Sequence, residues 1–296
     1  MLPLTDWPTA ARRNTIGVFT DIDDTLTTQG AITPDALQAL ADLQAVGLPV
    51  VAITGRSVAW CEAFAQAWPV TAIVAENGAV AWVNGNSVAH AVPAEMAAKT
   101  AKKMAASQSK KGLRSAPTVR RALSKIYQSD AATRSSNYAL LQAAAQQVLR
   151  EVPSARLAQD SAGRETDIAI DHSEFNHMPP ADVAQSQRLL QAAGLQATVS
   201  SIHVNAWLGA HNKLQGAHWI VRQLWGRELA AELERWAYVG DSSNDELMFQ
   251  AFAQSVGVAN IARFLPGLKS KPRYLAQGER GAGFAQVVQA LLDAQA

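Results

Sequence analysis

The sequence predicts an α/β protein: an open parallel sheet with helices on both faces, and a second α/β unit inserted into the chain. Three observations predict it. Short apolar runs end abruptly in polar residues, helix-like segments alternate with them, and the composition changes between Asn86 and about Ser200. Strands alternating with helices build parallel sheets, because a helical crossover returns the chain to run the same way beside the previous strand. At 296 residues the chain is long enough for about two domains, each with its own core.

The elements follow in order. TIGVFT (15–20) is a β-branched run that stops in DIDDT, as a strand buried on both faces would. TPDALQALADLQAVG reads as a helix with Thr33 as N-cap, Pro34 in the first turn and Gly47 at its end. LPVVAITGR repeats the buried strand with a polar tip, SVAWCEAFAQAW is helical, and VTAIVAENG completes a βαβαβ run. From Asn86 the chain turns to Ala-rich helices, AEMAAKTAKKMAAS and NYALLQAAAQQVL, with the strand-like pieces RETDIAID and LQATVSSIHVN. The earlier rhythm then resumes: NKLQGAHWIVRQLWG is a helix, ERWAYVGDSSNDELMF is strand, loop and helix, and QSVGVAN is a strand. The expected division is a core of residues 1–85 and 205–296 interrupted by an inserted domain of residues 86–204.

Charge agrees with that division. Residues 86–200 carry 14 Lys and Arg against 9 Asp and Glu, and the remainder carries 12 against 16. The excess is concentrated between Lys99 and Arg134, ten basic residues with one acid, Asp130, and reads as a solvated helix face.

Composition excludes several classes of function. With 48% hydrophobic and 17% charged residues and a net charge of +1, the chain is neither a disordered tail nor a polycation, and no nucleic-acid partner is expected. The one cysteine, Cys61, rules out an internal disulfide and thiolate metal clusters. No apolar run approaches the ~20 residues of a spanning helix, and the N-terminus lacks the layout of a secretory signal, so no membrane association and a cytoplasmic location are expected. His90, His172, His177 and His218 share no metal-ligand spacing and read as surface or packing residues. The GxxxxGK[ST] phosphate cradle is absent.

Four segments at strand ends or helix starts carry chemistry: DIDDT (Asp21 to Thr25), ITGR (Ile53 to Arg56), Lys213 and GDSSND (Gly240 to Asp245). In an open α/β sheet the carboxyl ends of the strands converge on one crevice. Asp21 and Asp23 lie two apart at a strand tip, and Asp241 ends another buried strand. Each alone reads as a turn former or N-cap; three together, with no cysteine or clustered histidine, suit a hard cation such as Mg²⁺.

Assembled, the four motifs resemble those of the haloacid dehalogenase superfamily of aspartyl phosphatases, in order and in spacing. AENGA (Ala75 to Ala79) and the insertion between the second and third motifs resemble the subfamily with a type IIB α/β cap, which holds Cof-type sugar phosphatases, sucrose-phosphate phosphatase and phosphomannomutase. The resemblance covers residues 1–85 and 205–296 closely and the cap in outline. It implies a Rossmann-like core with an α/β cap, and an enzyme that hydrolyses a sugar phosphate or similar small phosphomonoester. Asp21 would be the nucleophile and Asp23 the general acid and base, its backbone carbonyl a metal ligand. Asp21 and Asp241 would supply carboxylates to Mg²⁺, and Asp245 would hold a metal-bound water or orient Lys213. Thr54, the Gly55 amide, Lys213 and Asn244 would clamp the phosphoryl oxygens. Two departures stand out: Asp24 occupies a position where the family often has Gly, and GAHNK places His-Asn before the lysine.

In the cap, strand alternation from Arg164 puts Arg164, Thr166 and Ile168 on one side and Glu165, Asp167 and Ala169 on the other. His203 and Asn205 share a face opposite Ile202 and Val204. Glu165, Asp167, His203 and Asn205 are thus candidates for reading sugar hydroxyls, with a solvent-exposed polar face as the alternative. Two other activities fit the motifs: a phosphosugar mutase, and a non-catalytic phosphosugar sensor, which the filled catalytic positions disfavour.

Overall fold

The structure is a computed structural model and describes residues 1–85 and 123–295. The predicted helix AEMAAKTAKKMAAS, and all of the basic run except Lys125 and Arg134, lie outside the described residues. In the first part of the chain come β1 (Leu2–Pro3), α1 (Thr9–Arg13), β2 (Gly17–Thr20), the hairpin β3 (Thr27–Thr28) and β4 (Ala31–Ile32), α2 (Pro34–Ala45), β5 (Val50–Ile53), α3 (Val58–Ala67), β6 (Ala72–Ala75) and β7 (Val80–Asn84). Next are β8 (Leu123–Tyr127), α4 (Ala131–Glu151), β9 (Arg156–Leu157), β10 (Asp167–Asp171), α5 (Pro180–Ala192), β11 (Gln196–Val199) and β12 (His203–Trp207). The chain closes with α6 (Lys213–Trp225), β13 (Trp236–Gly240), α7 (Glu246–Ala251), β14 (Gln254–Gly257), β15 (Tyr274–Leu275) and α8 (Arg280–Gln295).

The large sheet has the order β1-β15-β14-β13-β2-β5-β6-β7-β8, parallel from β1 to β6 and antiparallel at β6/β7 and β7/β8. All four residues of β2, β5 and β6 are buried, which is why these strands read as unbroken apolar runs rather than alternating ones. One face packs on α2, α3 and α8 through Leu40, Leu43, Cys61, Phe284 and Val287. The other packs on α6 and α7 through Ile220, Val221, Met248 and Phe249. Helices on both faces are as the alternating pattern predicts. Because β2 is flanked by β5 on one side and β13 on the other, the chain leaves it in opposite directions, and a crevice opens at the carboxyl ends of these three strands.

Sequence reasoning misses the antiparallel end of this sheet. Val80–Asn84 follows β6 through the tight ENG turn and β8 adds beside it, so the inserted segment contributes a strand to the core sheet. The remainder of the insertion forms a four-stranded sheet of order β11-β12-β10-β9, backed by α4 and α5. Its apolar cluster, which includes Leu141, Val148, Ile168, Ile170, Leu190 and Val204, is separate from the two core clusters. Thr33 precedes α2 in extended backbone as predicted, but its side chain makes no capping bond. Among the described residues no helix is long and apolar enough to cross a membrane.

One close approach fixes the helix that faces the crevice. Gly78 has φ +114°, and a Cβ there would lie 2.5 Å from the Asn212 carbonyl oxygen; a Cβ on Gly216 of α6 would lie 2.6 Å from the Gly78 Cα. The ENG turn and the start of α6 therefore touch backbone to backbone, a contact only glycine permits. Gly78→Ala is expected to cost about 2 to 4 kcal/mol, from the left-handed backbone and the displaced helix together. Denaturant titration of the wild type and variant checks it: equal midpoints would show that the turn and α6 are not in contact.

Candidate active site

The crevice is built on buried charge. β2 ends at Thr20, and Asp21 continues the ladder by donating its N–H to Val239 O of β13 at 2.9 Å. Its carboxylate Oδ1 lies 2.6 Å from Lys213 Nζ, 192 residues along the chain. Lys213 is the first residue of α6, after Asn212, whose side chain caps the helix by accepting the Gln215 N–H. The same ammonium lies 2.6 Å from Asp245 Oδ1 and 3.3 Å from Asn244 Oδ1. Asp245 is held from all sides: Oδ1 also accepts the Tyr238 hydroxyl at 2.5 Å, and Oδ2 accepts the N–H groups of Asp241 and Ser242. Four donors leave that carboxylate positioning Lys213 and the loop.

Asp241 differs. Its Oδ2 accepts the Asn260 side-chain amide at 3.0 Å, while Oδ1 is buried with no hydrogen-bond partner among the described residues. Buried carboxylate oxygens are rarely left so. Ligand atoms of Asp21, Asp241 and Asp245 lie within 4.8 Å of one another. An oxygen-only set with one unpartnered oxygen fits a hard divalent cation held by Asp21 and Asp241, with Asp245 already saturated.

Burial first, and then crowding of like charge, set the electrostatics. Burial pushes the Asp21 carboxyl up to about 8; Lys213 opposes this, while Asp245 and Asp23 add to it. Asp241 is raised well above the usual carboxylate range by burial and then by Asp21 and Asp245. For Lys213, burial acts to lower the value, yet the Asp21 and Asp245 carboxylates outweigh it and keep the ammonium charged.

Asp23 faces a cation from the second motif. Arg56 grips it, Nη2 to Oδ1 at 2.8 Å and Nε to Oδ2 at 3.0 Å, and turns its other edge to Glu174 of the cap at 2.7 and 3.0 Å. Glu174 in turn lies 3.1 Å from His203 Nε2. Thr54, at the tip of β5, accepts the Arg56 N–H on its hydroxyl. The Gly55 carbonyl accepts from Asn205 at 3.0 Å and from Arg164 at 2.9 Å.

The cap therefore meets the core through polar groups. Asp167, His203 and Asn205 are buried on the face of the small sheet turned to the second motif, with Ile168, Ile170 and Val204 in the cap's own apolar cluster. The alternation predicted from Arg164 fails at its start. Residues 159–163 form a 3₁₀ turn and β10 begins only at Asp167, so Arg164 folds back to bond Asp167 at 2.8 Å rather than facing away from it. Glu165 is not brought to the crevice at all: it pairs with Lys125 at 2.7 Å and accepts the Tyr127 hydroxyl at 2.6 Å, both on β8. Glu76, in the ENG turn, is fully buried and accepts the N–H groups of Val58, Glu165 and Thr166.

A cavity of about 410 Å³ opens beside Asp23 and Arg56, and its cap wall is made by Ser173, Glu174, Phe175, Ser201 and Ile202. His203 and Asn205 stand behind that wall. Arg56 and Glu174 escaped the sequence reading, although ITGR names Arg56; nothing in DHSEF marks Glu174, because its partner is 118 residues away. Asp24 holds two arginines, Arg263 at 2.9 Å and Arg280 at 2.8 Å. Its φ of +55° explains why glycine suits this position and why the substitute is aspartate, which tolerates the left-handed region better than most residues.

The comparisons agree with this geometry. Residues 18–148 match the haloacid dehalogenase-like hydrolase family profile. A protein from Thermoplasma acidophilum shares the fold at TM-score 0.62 with 15% identity, over 94% of this chain and 99% of that one. The sucrose-phosphatase of Synechocystis sp., solved with sucrose and phosphate, shares it at TM-score 0.57 with 14% identity over 94% and 98%. A sugar phosphatase of haloacid dehalogenase subclass IIB matches at 0.53 with 14% identity over 88% and 93%. No curated protein matches the chain by sequence. The chain thus carries the haloacid dehalogenase-type fold with an α/β cap and, over residues 18–148, the family signature of its hydrolases.

The departure at GAHNK has a measurable consequence. His211 stacks on Trp207 with ring centroids 5.6 Å apart, and burial lowers its pKa to about 4 from the model-peptide 6.5. A histidine depressed in the fold contributes stability that is present above pH 6.5 and lost as the pH falls toward 4. His211→Gln is expected to flatten the fall of the melting temperature over that window. Parallel slopes for wild type and variant between pH 6.5 and 4 would show that the ring is not buried as described.

Proposed function

We propose that the protein is a Mg²⁺-dependent phosphatase that hydrolyses a sugar phosphate, or a similar small phosphomonoester, through an aspartyl-phosphate. The observation that carries this reading is the buried Asp21 carboxylate, 2.6 Å from Lys213 Nζ and clustered with Asp241, whose Oδ1 has no partner. The family signature and the sugar-phosphatase neighbours support it.

In this reading Asp21 attacks phosphorus, a bond forms between its carboxylate oxygen and phosphorus, and the bond from phosphorus to the leaving oxygen breaks. Asp23 delivers the proton that the leaving oxygen takes, then removes one from the water that cleaves the aspartyl-phosphate. Arg56, which donates to both Asp23 oxygens in this structure, orients that carboxylate as the base and yields one oxygen when Asp23 carries the proton. Lys213, fixed by Asp245, offsets the charge gathering on the phosphoryl oxygens, and Thr54, the Gly55 amide and Asn244 orient them. Asp21, Asp241 and the Asp23 carbonyl would hold Mg²⁺, which when bound neutralises phosphate charge that otherwise repels Asp21. The cavity beside Asp23 receives the leaving group.

Asp21→Asn is expected to abolish turnover of p-nitrophenyl phosphate and of sugar phosphates while leaving the fold intact. Exhaustive chelation is expected to stop the wild type, and added Mg²⁺ to restore it. Initial-rate assays with circular dichroism of each sample check both; an active Asp21→Asn protein, or full activity after chelation, contradicts the mechanism.

A further inference from the structure

We infer that the leaving group of the substrate carries an anionic group of its own, a carboxylate or a second phosphate, read by Arg263 and Arg280. The inference rests on the phosphatase reading above and deepens it, because the arginines line the cavity that opens on Asp23.

Three features of that cavity lead there. First, its cations are arranged unequally. Arg56 is buried and saturated by two acids, Asp23 and Glu174. Arg263 and Arg280 meet on the Asp24 carboxylate at 2.9 and 2.8 Å, with Asp241 and Glu279 looser at 3.7 Å, and keep 44% and 34% of their side chains exposed at the cavity. The guanidinium forks retain donors for an incoming anion. The opposite wall holds Glu174 and the acid Asp23, which suit hydroxyl donors. A molecule with a hydroxylated middle and an anionic far end matches this polarity.

Second, the chain pays backbone strain to put these groups there. Five non-glycine residues among those described have positive φ, and three of them, Asp24 (+55°), Gln29 (+51°) and Arg280 (+52°), line this one cavity. Asp24 and Arg280 meet at 2.8 Å, each in the left-handed region. Asn260 locks the pair, donating to the Asp24 carbonyl at 3.0 Å and accepting the Arg280 N–H at 2.9 Å. Such strain persists where the surroundings over-determine it, and it clusters at ligand sites.

Third, about 410 Å³ falls within the ~300–1,000 Å³ typical of small-molecule sites and is more than a phosphoryl group needs. The space lies between the acid and base and the arginines, so the leaving group spans it.

The test uses matched substrates with the full chain and Mg²⁺. Glucose 1-phosphate, glucuronic acid 1-phosphate and glucose 1,6-bisphosphate differ only at C6, which is neutral, a carboxylate or a phosphate; glycerol 3-phosphate and 3-phosphoglycerate form a second set. At least one anionic member is expected to exceed its neutral partner in kcat/KM by about ten-fold or more, as a charge-assisted bond gives. Whether the carboxylate or the phosphate gains identifies the source of the anion. Arg263→Gln and Arg280→Gln, at partly exposed positions, are expected to collapse that ratio toward one. A wild type that turns over p-nitrophenyl phosphate yet treats each set alike overturns the inference and leaves the phosphatase reading standing, as does an anionic preference that survives both substitutions. If no phosphomonoester is turned over, the phosphatase reading falls. Calorimetry of the same ligands on Asp21→Asn protein then decides the inference separately: tighter binding of the anionic members, lost in Asp21→Asn carrying Arg280→Gln, supports it, and equal affinities overturn it.

Discussion

Lys213 Nζ, buried between Asp21 and Asp245, is the interaction on which the rest of the arrangement depends. Its side chain is 2% exposed, and both carboxylates lie at 2.6 Å. Removing one partner of such a buried pair typically costs about 3 to 5 kcal/mol, because an uncompensated charge is left behind. The surrounding structure is organised to keep the ammonium there. The Gly78 and Gly216 approach brings the start of α6 against the ENG turn, the Asn212 cap begins the helix at Lys213, and Tyr238 with two backbone N–H groups fixes Asp245. The glycine contacts of the fold and the charge pattern of the site are therefore one constraint seen from two sides.

The core of this arrangement was legible in the sequence because its signals are local. A buried strand that stops in polar residues shows itself within six residues, and three such strand ends in one parallel sheet converge. Asp21, Thr54 and Asp241 need no long-range information beyond that topology, whereas Lys213, at a helix start, is marked by its NKxxGA setting and the motif resemblance. The cap was less legible because its polar residues choose partners far away. Glu165 is two residues from Asp167, yet it turns to β8 while Asp167 turns to Arg164 and the core. Alternation fails there because the strand begins later than the apolar pattern suggests, after a 3₁₀ turn that resets which side each residue faces. Val80–Asn84 was missed for a related reason: buried on the large sheet and reached through a three-residue turn, it looks like a continuation of the strand before it.

The seating of the cap follows a different physics from its folding. The cap's small sheet has its own apolar cluster, so its interior does not depend on contact with the core. Near the second motif it is held instead by Arg164 and Asn205 on the Gly55 carbonyl, by Glu76 on the Glu165 and Thr166 N–H groups, and by Glu174 on Arg56. Apolar surfaces tolerate sliding; buried hydrogen bonds and ion pairs are satisfied at one register and penalised at others. A polar contact of this kind gives the cap one defined seat over the crevice.

That seat brings the cap wall of the cavity against the second motif and Asp23. Arg56 touches Asp23 with one edge and Glu174 with the other, and Glu174 lies against His203. Glu174 is also part of the cavity wall. A group entering the cavity therefore meets, on the cap side, the same carboxylate that orients Arg56 and, through it, Asp23. On the core side it meets arginines anchored by Asp24, one residue beyond Asp23 in the chain. Both walls are thus one contact away from Asp23 or its neighbour in sequence. The single residue Asp24, in a backbone conformation that glycine would adopt without strain, is the point where the loop after β2 gains a carboxylate and, through it, two arginines on the cavity wall.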